Sequence, residues 1–432
     1  MMADPINKTP VPDQWAAKFF TIWVGQAFSL VGSSLVQFAL VWWLTRETGS
    51  ATVLATATLI AMLPQIFLGP FAGTFIDRWN RKTVMIVADS LIALATLALI
   101  YLFSIGRQSI WAIYAILLIR SAGGSFHYPA LQASTSLMVP KQHLARIAGL
   151  NQTLHGVINI IAPPLGALLI SILPTQSVLF VDVITAAIAV SLLAIVSIPQ
   201  PARIQAQANG EMKTTSFRQD LREGWDYMAA WPGLLAVAIL AMLINFLLTP
   251  ASSLIPLMVT KEYLGGAPQL GLLDSIFGIG VIVGGLILSA WGGFKKRILT
   301  SLVGIVGIGA GILVFGSLPP HLFYLALSGI FMLGFMQVFA NGPLHAILQA
   351  TVDPGMQGRV LSLINAGATA MSPLSLLVAG PVADALGVRT WYLIGGSACI
   401  LAALCAMFIP AVMTIESNQL ATVNPTLSRQ ND

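Results

Sequence analysis

Three acids and one arginine lie inside long apolar stretches of the sequence, where an isolated charge is costly: Asp89, Asp182, Asp274 and Arg120. An unpaired guanidinium at membrane depth costs at least about 2.5 kcal/mol, so Arg120 predicts either a structural ion pair or a functional residue that faces the interior of the helix bundle. Asp89 lies at a similar depth in the adjacent apolar stretch and is the predicted partner of Arg120. Because protonation removes the charge of a buried acid, Asp89, Asp182 and Asp274 are candidate proton carriers.

Uncharged polar side chains also occur in the apolar stretches, several of them at helical spacing. Side chains three or four residues apart share one helix face, and polar groups at membrane depth avoid lipid. These residues therefore predict a substrate cavity, and hydrogen bonds that hold helices together are the alternative. The candidate cavity residues are Gln26, Ser33, Gln37, His155, Asn159, Asn245, Gln337 and Asn341.

The composition explains why these polar residues lie at membrane depth. Of the 432 residues, 56% are hydrophobic and 9% are charged, whereas roughly a quarter of a soluble domain is charged. A spanning helix needs about 20 predominantly apolar residues. The sequence contains twelve such stretches, including 109–128 and 321–342, and so predicts an all-α membrane protein of twelve transmembrane helices.

The basic residues predict the orientation of the chain and do not indicate nucleic acid as a partner. Most loop lysines and arginines lie on one side of the predicted membrane, and the opposite loops hold only Arg46, Arg107, Lys261 and Arg389. By the positive-inside rule, both termini are expected in the cytoplasm. The first apolar stretch is as long as a full span, so we expect an uncleaved helix and no signal peptide.

The sequence divides into two related halves. Pro129 and Pro140 recur as Pro343 and Pro354 at one constant offset, and parallel repeats of six helices are an architecture of secondary transporters. A polar linker contains Phe217, Leu221, Trp225 and Met228 on one face of an amphipathic helix. The predicted segments are a cytoplasmic N-terminal tail (1–18), an N-terminal six-helix bundle (19–198), a cytoplasmic linker with an amphipathic helix (199–231), a C-terminal six-helix bundle (232–412) and a cytoplasmic C-terminal tail (413–432).

A glycine, an acid and several bases follow the second apolar stretch. Glycine allows one helix to approach another, and the charged side chains can make charge-assisted bonds that form and break as the halves move. The alternative is cytoplasmic positive charge at a helix end. The candidate gating residues are Gly73, Asp77, Arg78, Arg81 and Lys82.

A pair of prolines with small neighbours interrupts the fifth apolar stretch at Ala162-Pro163-Pro164-Leu165-Gly166-Ala167. Pro163, Pro164 and Gly166 form the candidate helix-5 motif, and a proline kink with close helix packing is the alternative interpretation.

Three of these segments resemble motifs of the major facilitator superfamily. Gly73-Thr74-Phe75-Ile76-Asp77-Arg78-Trp79-Asn80-Arg81-Lys82 resembles its G-x-x-x-D-R-x-x-R-K signature between helices 2 and 3. Arg120-Ser121-Ala122-Gly123-Gly124 is similar to the helix-4 motif, whose arginine is associated with proton transfer. The Pro163 segment resembles the helix-5 motif of antiporters, with alanine at both flanking glycine positions.

The N-terminal half is similar in more detail to the macrolide-efflux (Mef) proteins, in the proton-driven drug exporter branch. The similar segments are Phe19-Phe20-Thr21-Ile22-Trp23-Val24-Gly25-Gln26 and Ile119-Arg120-Ser121-Ala122-Gly123-Gly124-Ser125-Phe126-His127-Tyr128-Pro129. The resemblance implies proton antiport of a bulky amphipathic small molecule, such as a macrolide-like drug, with alternating access. We expect a monomer in the lipid of the cytoplasmic (inner) membrane that needs no cofactor, holds no metal and has no enzymatic activity.

Two other functions remain open at this point. The chain could export an endogenous siderophore or metabolite, or it could be a lipid-handling or sensing membrane protein that transports nothing. The sequence contains no G-x-x-x-x-G-K-[ST] loop for ATP, which argues against a primary pump.

Overall fold

The computed structural model describes residues 15–199, 217–353 and 355–416. Within these ranges the chain forms helices joined by short turns, with no strand. In chain order the helices are α1 (Trp15–Thr48), α2 (Ala51–Arg78), α3 (Arg81–Ser104), α4 (Ile110–Met138), α5 (Leu144–Ile172), α6 (Thr175–Ile195), α7 (Phe217–Ala229), α8 (Pro232–Ser253), α9 (Ile255–Leu257), α10 (Ala267–Trp291), α11 (Arg297–Ser317), α12 (Phe323–Thr351), α13 (Gln357–Leu386), α14 (Val388–Met407) and α15 (Pro410–Met413).

Twelve of these helices are long, which confirms the predicted all-α membrane fold. Among the described residues, eleven helices are long and apolar enough to cross a membrane. The remaining long helix is α4, which contains Arg120 and His127. Its polar residues lie along a cavity, where they avoid the cost of facing lipid.

Two helices extend well beyond the ends that the sequence predicted. The predicted fourth span stopped at residue 128 and the tenth at residue 342, each just before a proline. Instead, α4 continues through Pro129 to Met138, and α12 continues through Pro343 to Thr351. Proline is compatible with helical backbone, and the groups it leaves unpaired can be satisfied by neighbouring helices and side chains. Both helices are therefore longer than the spans that the sequence predicted.

The chain divides into two compact units. As far as the structure describes them, the first consists of Met1–Leu44 and Ile60–Ala208, and the second of Thr45–Leu59 and Asn209–Asp432. In the first unit α3 packs against both α4 and α6, and in the second α11 packs against α12 and α14.

The second unit includes a segment that the sequence assigned to the N-terminal bundle. This segment, Thr45–Leu59, contains the start of α2. The carboxylate of Asp384 accepts bonds from Ser50 Oγ at 2.8 Å, from the Ala51 amide at 2.7 Å and from the Thr52 amide at 2.9 Å. The first amides of a helix have no partner within the helix and carry a partial positive charge, so an acid from α13 stabilises this helix start.

Glycines set the helix packing of the second unit. A Cβ on Gly311 of α11 would lie 2.5 Å from the carbonyl oxygen of Gly329 of α12, and a Cβ on Gly329 would lie 2.5 Å from that of Gly311. A Cβ on Gly309 would likewise meet the carbonyl oxygen of Gly396 in α14 at 2.6 Å. Small residues allow backbones to approach closely, which is how helices pack in lipid.

The linker helix α7 occurs where the sequence predicted it, but its apolar face is divided. Met228 is buried in a cluster with Leu234, Val360 and other residues of the second unit. In contrast, the side chains of Leu221 and Trp225 are about half exposed. Contact of this exposed part with the membrane interface stays a prediction.

Replacing Gly311 with Ala should destabilise the protein, because the new methyl group would collide with the carbonyl oxygen of Gly329. Overpacking of this kind costs about 1–3 kcal/mol. Thermal unfolding of the purified protein in detergent measures the effect. Gly285→Ala is the matched control, since a Cβ there meets no heavy atom within 4 Å. Equal unfolding temperatures for the two variants would contradict the close α11–α12 contact.

Candidate functional site

The first unit contains a cavity of about 790 Å³, a size typical of small-molecule sites. Residues of α1 to α5 line it. Its surface combines aromatic side chains, including Phe19, Trp23 and Tyr128, with charged and polar groups. The predicted residues Gln26, Asp89 and others belong to this lining, so the structure brings together side chains that are far apart in the sequence.

A buried ion pair lies at one level of this unit. Arg120 Nη1 of α4 lies 2.5 Å from Asp182 Oδ2 of α6. Asp182 is fully buried and also accepts bonds from Ser33 Oγ at 3.0 Å and Thr96 Oγ1 at 2.9 Å. Arg120 donates to Thr96 as well, at 2.5 Å. Four helices therefore each contribute one residue to this level. We call these residues the Arg120 layer: Ser33, Thr96, Arg120 and Asp182.

The partner of Arg120 is thus Asp182, and the predicted pairing with Asp89 was wrong. Neighbouring helices α3 and α4 run in opposite directions, and Arg120 lies at the level of Thr96. Asp89 lies two helical turns before Thr96 on α3, which at 1.5 Å per residue is roughly 10 Å along the axis. The depths of Asp89 and Arg120, as estimated from the sequence, were too coarse to show this difference of two turns.

Asp89 belongs to a second level, which we call the Asp89 layer: Gln26, Asp89 and His127. Gln26 Nε2 of α1 donates to Asp89 Oδ2 at 3.1 Å. His127 Nε2 of α4 lies 3.4 Å from Asp89 Oδ1, within ion-pair distance if the imidazole is protonated. The geometry is too poor for a hydrogen bond, and His127 Nε2 has no hydrogen-bond partner among the described residues.

The two layers repeat one arrangement along the helices. Gln26 and Ser33 of α1 are two turns apart, as are Asp89 and Thr96 of α3, and His127 and Arg120 of α4. Side chains two turns apart lie on the same face of a helix. Each of the three helices therefore contributes one polar side chain to each layer. Asp182 of α6 adds the acid that neutralises Arg120.

Thr96 and His127 are functional candidates that the sequence analysis missed. Each could have been found from a predicted residue, because Thr96 follows Asp89 by two turns and His127 follows Arg120 by two turns. The pairing of Arg120 with Asp182 had no comparable sequence signal.

Not every predicted cavity residue of the first unit lines the cavity. Gln26, Ser33, Gln37 and His155 do, whereas Asn159 is exposed and does not. Two of them, Gln26 and Ser33, each donate a hydrogen bond to a buried acid on another helix. These two residues therefore both line the cavity and connect helices.

The remaining predicted residues belong to the second unit. Asn245 is exposed on α8 and donates to the carbonyl oxygen of Ala241 in its own helix, at 2.9 Å. Gln337 and Asn341 lie on α12, and Asp274 lies on α10. None of these four lines the cavity of the first unit, and their roles stay predictions.

The gating segment is described in part. The side chains of Gly73, Asp77 and Arg78 lie outside the described part of the structure. Arg81 Nη1 donates to the carbonyl oxygen of Ala133 at 2.6 Å. Lys82 Nζ donates to the carbonyl oxygens of Ala194 and Val196, at 2.7 and 3.0 Å, at the C-terminus of α6. Cations stabilise such helix ends, so Lys82 at least has a structural role.

The helix-5 motif lies within a continuous helix, since α5 runs through both Pro163 and Pro164. A Cβ on Gly166 would lie 3.0 Å from Phe38 Cδ1 of α1. Close packing of α5 on α1 therefore requires a small residue at position 166. This contact agrees with the packing interpretation, and a role in transport stays a prediction.

The fold and the cavity define a multi-spanning helical membrane protein with a cavity of the size of a small-molecule site. The sequence pattern of the Major Facilitator Superfamily matches residues 22–376, so the chain belongs to this superfamily of transporters.

Two relatives are similar over nearly the whole chain. Macrolide efflux protein A of Streptococcus pyogenes is 34% identical over 398 residues, which cover 91% of this chain and 96% of the relative. Multidrug efflux pump Tap of Mycolicibacterium fortuitum is 25% identical over 404 residues, covering 89% of this chain and 94% of that protein.

Solved structures agree on the fold. A bacterial homologue of the iron transporter ferroportin, solved in an inward-facing state, superposes with a TM-score of 0.70 at 15% identity. The match covers 93% of this chain and 99% of that chain. At this identity the likeness concerns the fold alone.

Replacing Arg120 with Ala should destabilise the protein strongly, because Asp182 would remain buried without its cation. Removing one partner of a buried pair costs about 3–5 kcal/mol. Neutralising the acid as well, in an Arg120→Ala/Asp182→Asn variant, should recover part of that loss. Thermal unfolding in detergent measures both variants.

Arg222→Ala is the control for this pair, since Arg222 makes an exposed ion pair with Asp226 and such pairs contribute about 0–1 kcal/mol. If the double variant loses as much stability as Arg120→Ala and Asp182→Asn lose separately, added together, the two buried groups do not interact energetically.

Proposed function

We propose that the protein exports a bulky amphipathic small molecule, such as a macrolide-like drug, by proton antiport with alternating access. The observation that carries this proposal is the cavity of the first unit, whose lining combines aromatic side chains with residues of both polar layers. The named activity of the Streptococcus pyogenes relative supports a macrolide as cargo. The proposed setting is the inner membrane, with both termini in the cytoplasm and a monomer as the working unit.

The chemistry of the cavity favours an amphipathic cargo. Phe19, Trp23 and Tyr128 offer apolar and aromatic surface, whereas Gln37 and His155 offer hydrogen bonds. Sites for small molecules combine a mainly apolar wall with a few polar groups that orient the ligand. A volume of about 790 Å³ in one unit already accommodates a drug-sized compound.

The buried acids supply a rationale for proton coupling. Asp182 compensates Arg120, so protonating Asp182 would leave the guanidinium without its counter-charge and favour a rearrangement of the helices. Asp89 in the first unit and Asp274 in the second are the other proposed carriers. Coupling through these groups needs no metal or cofactor.

Proton-driven uptake into inside-out vesicles tests the proposal. A radiolabelled macrolide should accumulate when a proton gradient is imposed, and an uncoupler should abolish the accumulation. Arg120→Ala should reduce it to the level of vesicles that lack the protein, provided that the variant inserts. Uptake that an uncoupler leaves unchanged would exclude proton antiport.

The same vesicles discriminate between the other functions. Accumulation of a siderophore or a secreted metabolite, with none of any lipophilic drug, would favour export of an endogenous compound. Specific binding of a compound without flux would favour a sensing or lipid-handling protein.

Asp77→Asn should slow transport and leave the affinity for cargo nearly intact, because the proposed gate acts on the movement between access states. Initial uptake rates at increasing cargo concentration measure both quantities. Asp226→Asn serves as the control, since this exposed acid lies on the linker helix. A weaker affinity with an unchanged maximal rate would contradict a gating role.

A further inference from the structure

We propose that the cavity of the first unit binds a sugar ring of its cargo against the indole of Trp23, so that the preferred cargo is a glycoside. This inference rests on the proposed export function and names the class of molecule that the cavity takes. The sugar would stack on the indole, and its hydroxyl groups would bond to the carboxamide side chains around it. The apolar part of the cargo would lie against the rest of the cavity wall.

Carboxamide side chains are abundant in the cavity lining. A carboxamide has two N–H donors and one carbonyl acceptor and carries no charge. A sugar hydroxyl both donates and accepts hydrogen bonds, so a carboxamide can bond to it in either direction. Among the described residues, six carboxamides line the cavity: Gln26, Gln37, Gln65, Gln132, Asn151 and Gln152.

Four of these carboxamides are available to a ligand. The side chains of Gln37, Gln65, Gln132 and Gln152 are exposed in the cavity and make no hydrogen bond with any described residue. Hydrogen bonds between helices are the usual structural role of polar side chains at membrane depth. That role does not account for these four residues, whereas a polar ligand in the cavity would use their donors and acceptors.

Trp23 supplies a flat aromatic face whose orientation is fixed. Its indole Nε1 donates to Asn151 Oδ1 of α5 at 2.8 Å, and Phe20 packs against it in a T-shaped arrangement with 6.2 Å between the ring centroids. Because Nε1–H is the only donor of an indole, Trp23 offers the cargo its ring face. One face of a sugar ring carries mainly C–H groups, which make favourable weak contacts with an aromatic face.

Further carboxamides lie close to the level of the indole. The two polar layers show that α1 and α4 run in opposite directions, with Gln26 and His127 at the same level. Trp23 precedes Gln26 by three residues and Gln132 follows His127 by five, so Trp23 and Gln132 differ by roughly 3 Å along the helix axis. Together with Asn151, which bonds to the indole, and the residue after it, they form the proposed sugar site: Trp23, Gln132, Asn151 and Gln152.

The proposed sugar site contains no charged side chain. Arg120 also lines the cavity, but it is paired with Asp182 at the Arg120 layer. A neutral sugar therefore satisfies the site through its shape and its hydroxyl groups, independently of any charge elsewhere on the cargo. Two probes of equal charge can consequently isolate this recognition.

Binding of two probes to the purified protein tests the inference without any transport step. One probe is a macrolide that carries a neutral deoxysugar, and the other is the same macrolide with an aliphatic ester of similar size in place of that sugar. The two probes have the same net charge and similar bulk, so a difference in affinity reports recognition of the sugar. The protein is kept in lipid nanodiscs, because a glycoside detergent would compete for the site.

The wild-type protein should bind the glycoside about tenfold to a hundredfold more tightly than the ester, the range expected from two or three hydrogen bonds. Replacing both Gln132 and Gln152 with Leu should weaken binding of the glycoside and leave that of the ester nearly unchanged. Gln142→Leu is the matched control, since Gln142 is exposed and does not line the cavity.

Variants of Trp23 separate stacking from bulk. Trp23→Leu should abolish the preference for the glycoside, whereas Trp23→Phe keeps an aromatic face and should retain part of it. Asn151→Ala should also reduce the preference, because the indole loses the hydrogen bond that orients it. Trp111→Leu is the control, since the side chain of Trp111 is 79% exposed and lies outside the cavity.

The outcomes separate this inference from the proposed function. If the wild-type protein binds both probes equally, or binds neither, the cavity does not select glycosides. If folded Trp23→Leu and the double glutamine variant both keep the wild-type preference, the assignment of the sugar site is wrong. The comparison on the wild-type protein holds even if a variant fails to fold. If the preference is present but no proton-driven export occurs, the proposed antiport is wrong and the sugar site stands.

Discussion

Arg120 and Asp182 meet at 2.5 Å inside the first unit, and the positions of four helices depend on this contact. A charge in an apolar environment is costly, and pairing with an opposite charge of the protein lowers that cost. Asp182 comes from α6, while Ser33 of α1 and Thr96 of α3 complete its hydrogen bonds. The ion pair therefore connects α4 to α6 and brings α1 and α3 into the same layer.

The Asp89 layer follows from that constraint. Once Arg120 lies beside Thr96, the opposite directions of α3 and α4 place His127 beside Asp89 two turns away. Asp182 neutralises the first layer, whereas the second contains an acid and a histidine that face the cavity. The first unit thus contains one acid that is paired with an arginine, Asp182, and one whose described polar contacts are with Gln26 and His127, Asp89. In the second unit, glycines such as Gly311 and Gly329 bring neighbouring helices into close contact.

Much of the architecture could be predicted because it depends on local properties of the chain. Apolar stretches define the long helices, and the linker helix α7 was found from its amphipathic spacing. The continuation of α4 through Pro129 and of α12 through Pro343 was not predicted, because proline ends helices in water more strictly than it does among packed membrane helices. The sequence also did not predict that Thr45–Leu59 belongs to the second unit. This segment is bound by Asp384, which is distant in the chain.

The sequence by itself identified the acids and the arginine in the apolar stretches, because a charge there is visible without any contact information. It also identified the polar faces of single helices, whose period is set by helix geometry. Only the tertiary structure decided which of these groups meet. It paired Arg120 with Asp182 and left Asp89 to Gln26 and His127. The reason is physical: two turns of helix separate the layers, and the relative level of two helices is fixed by packing between residues far apart in the chain.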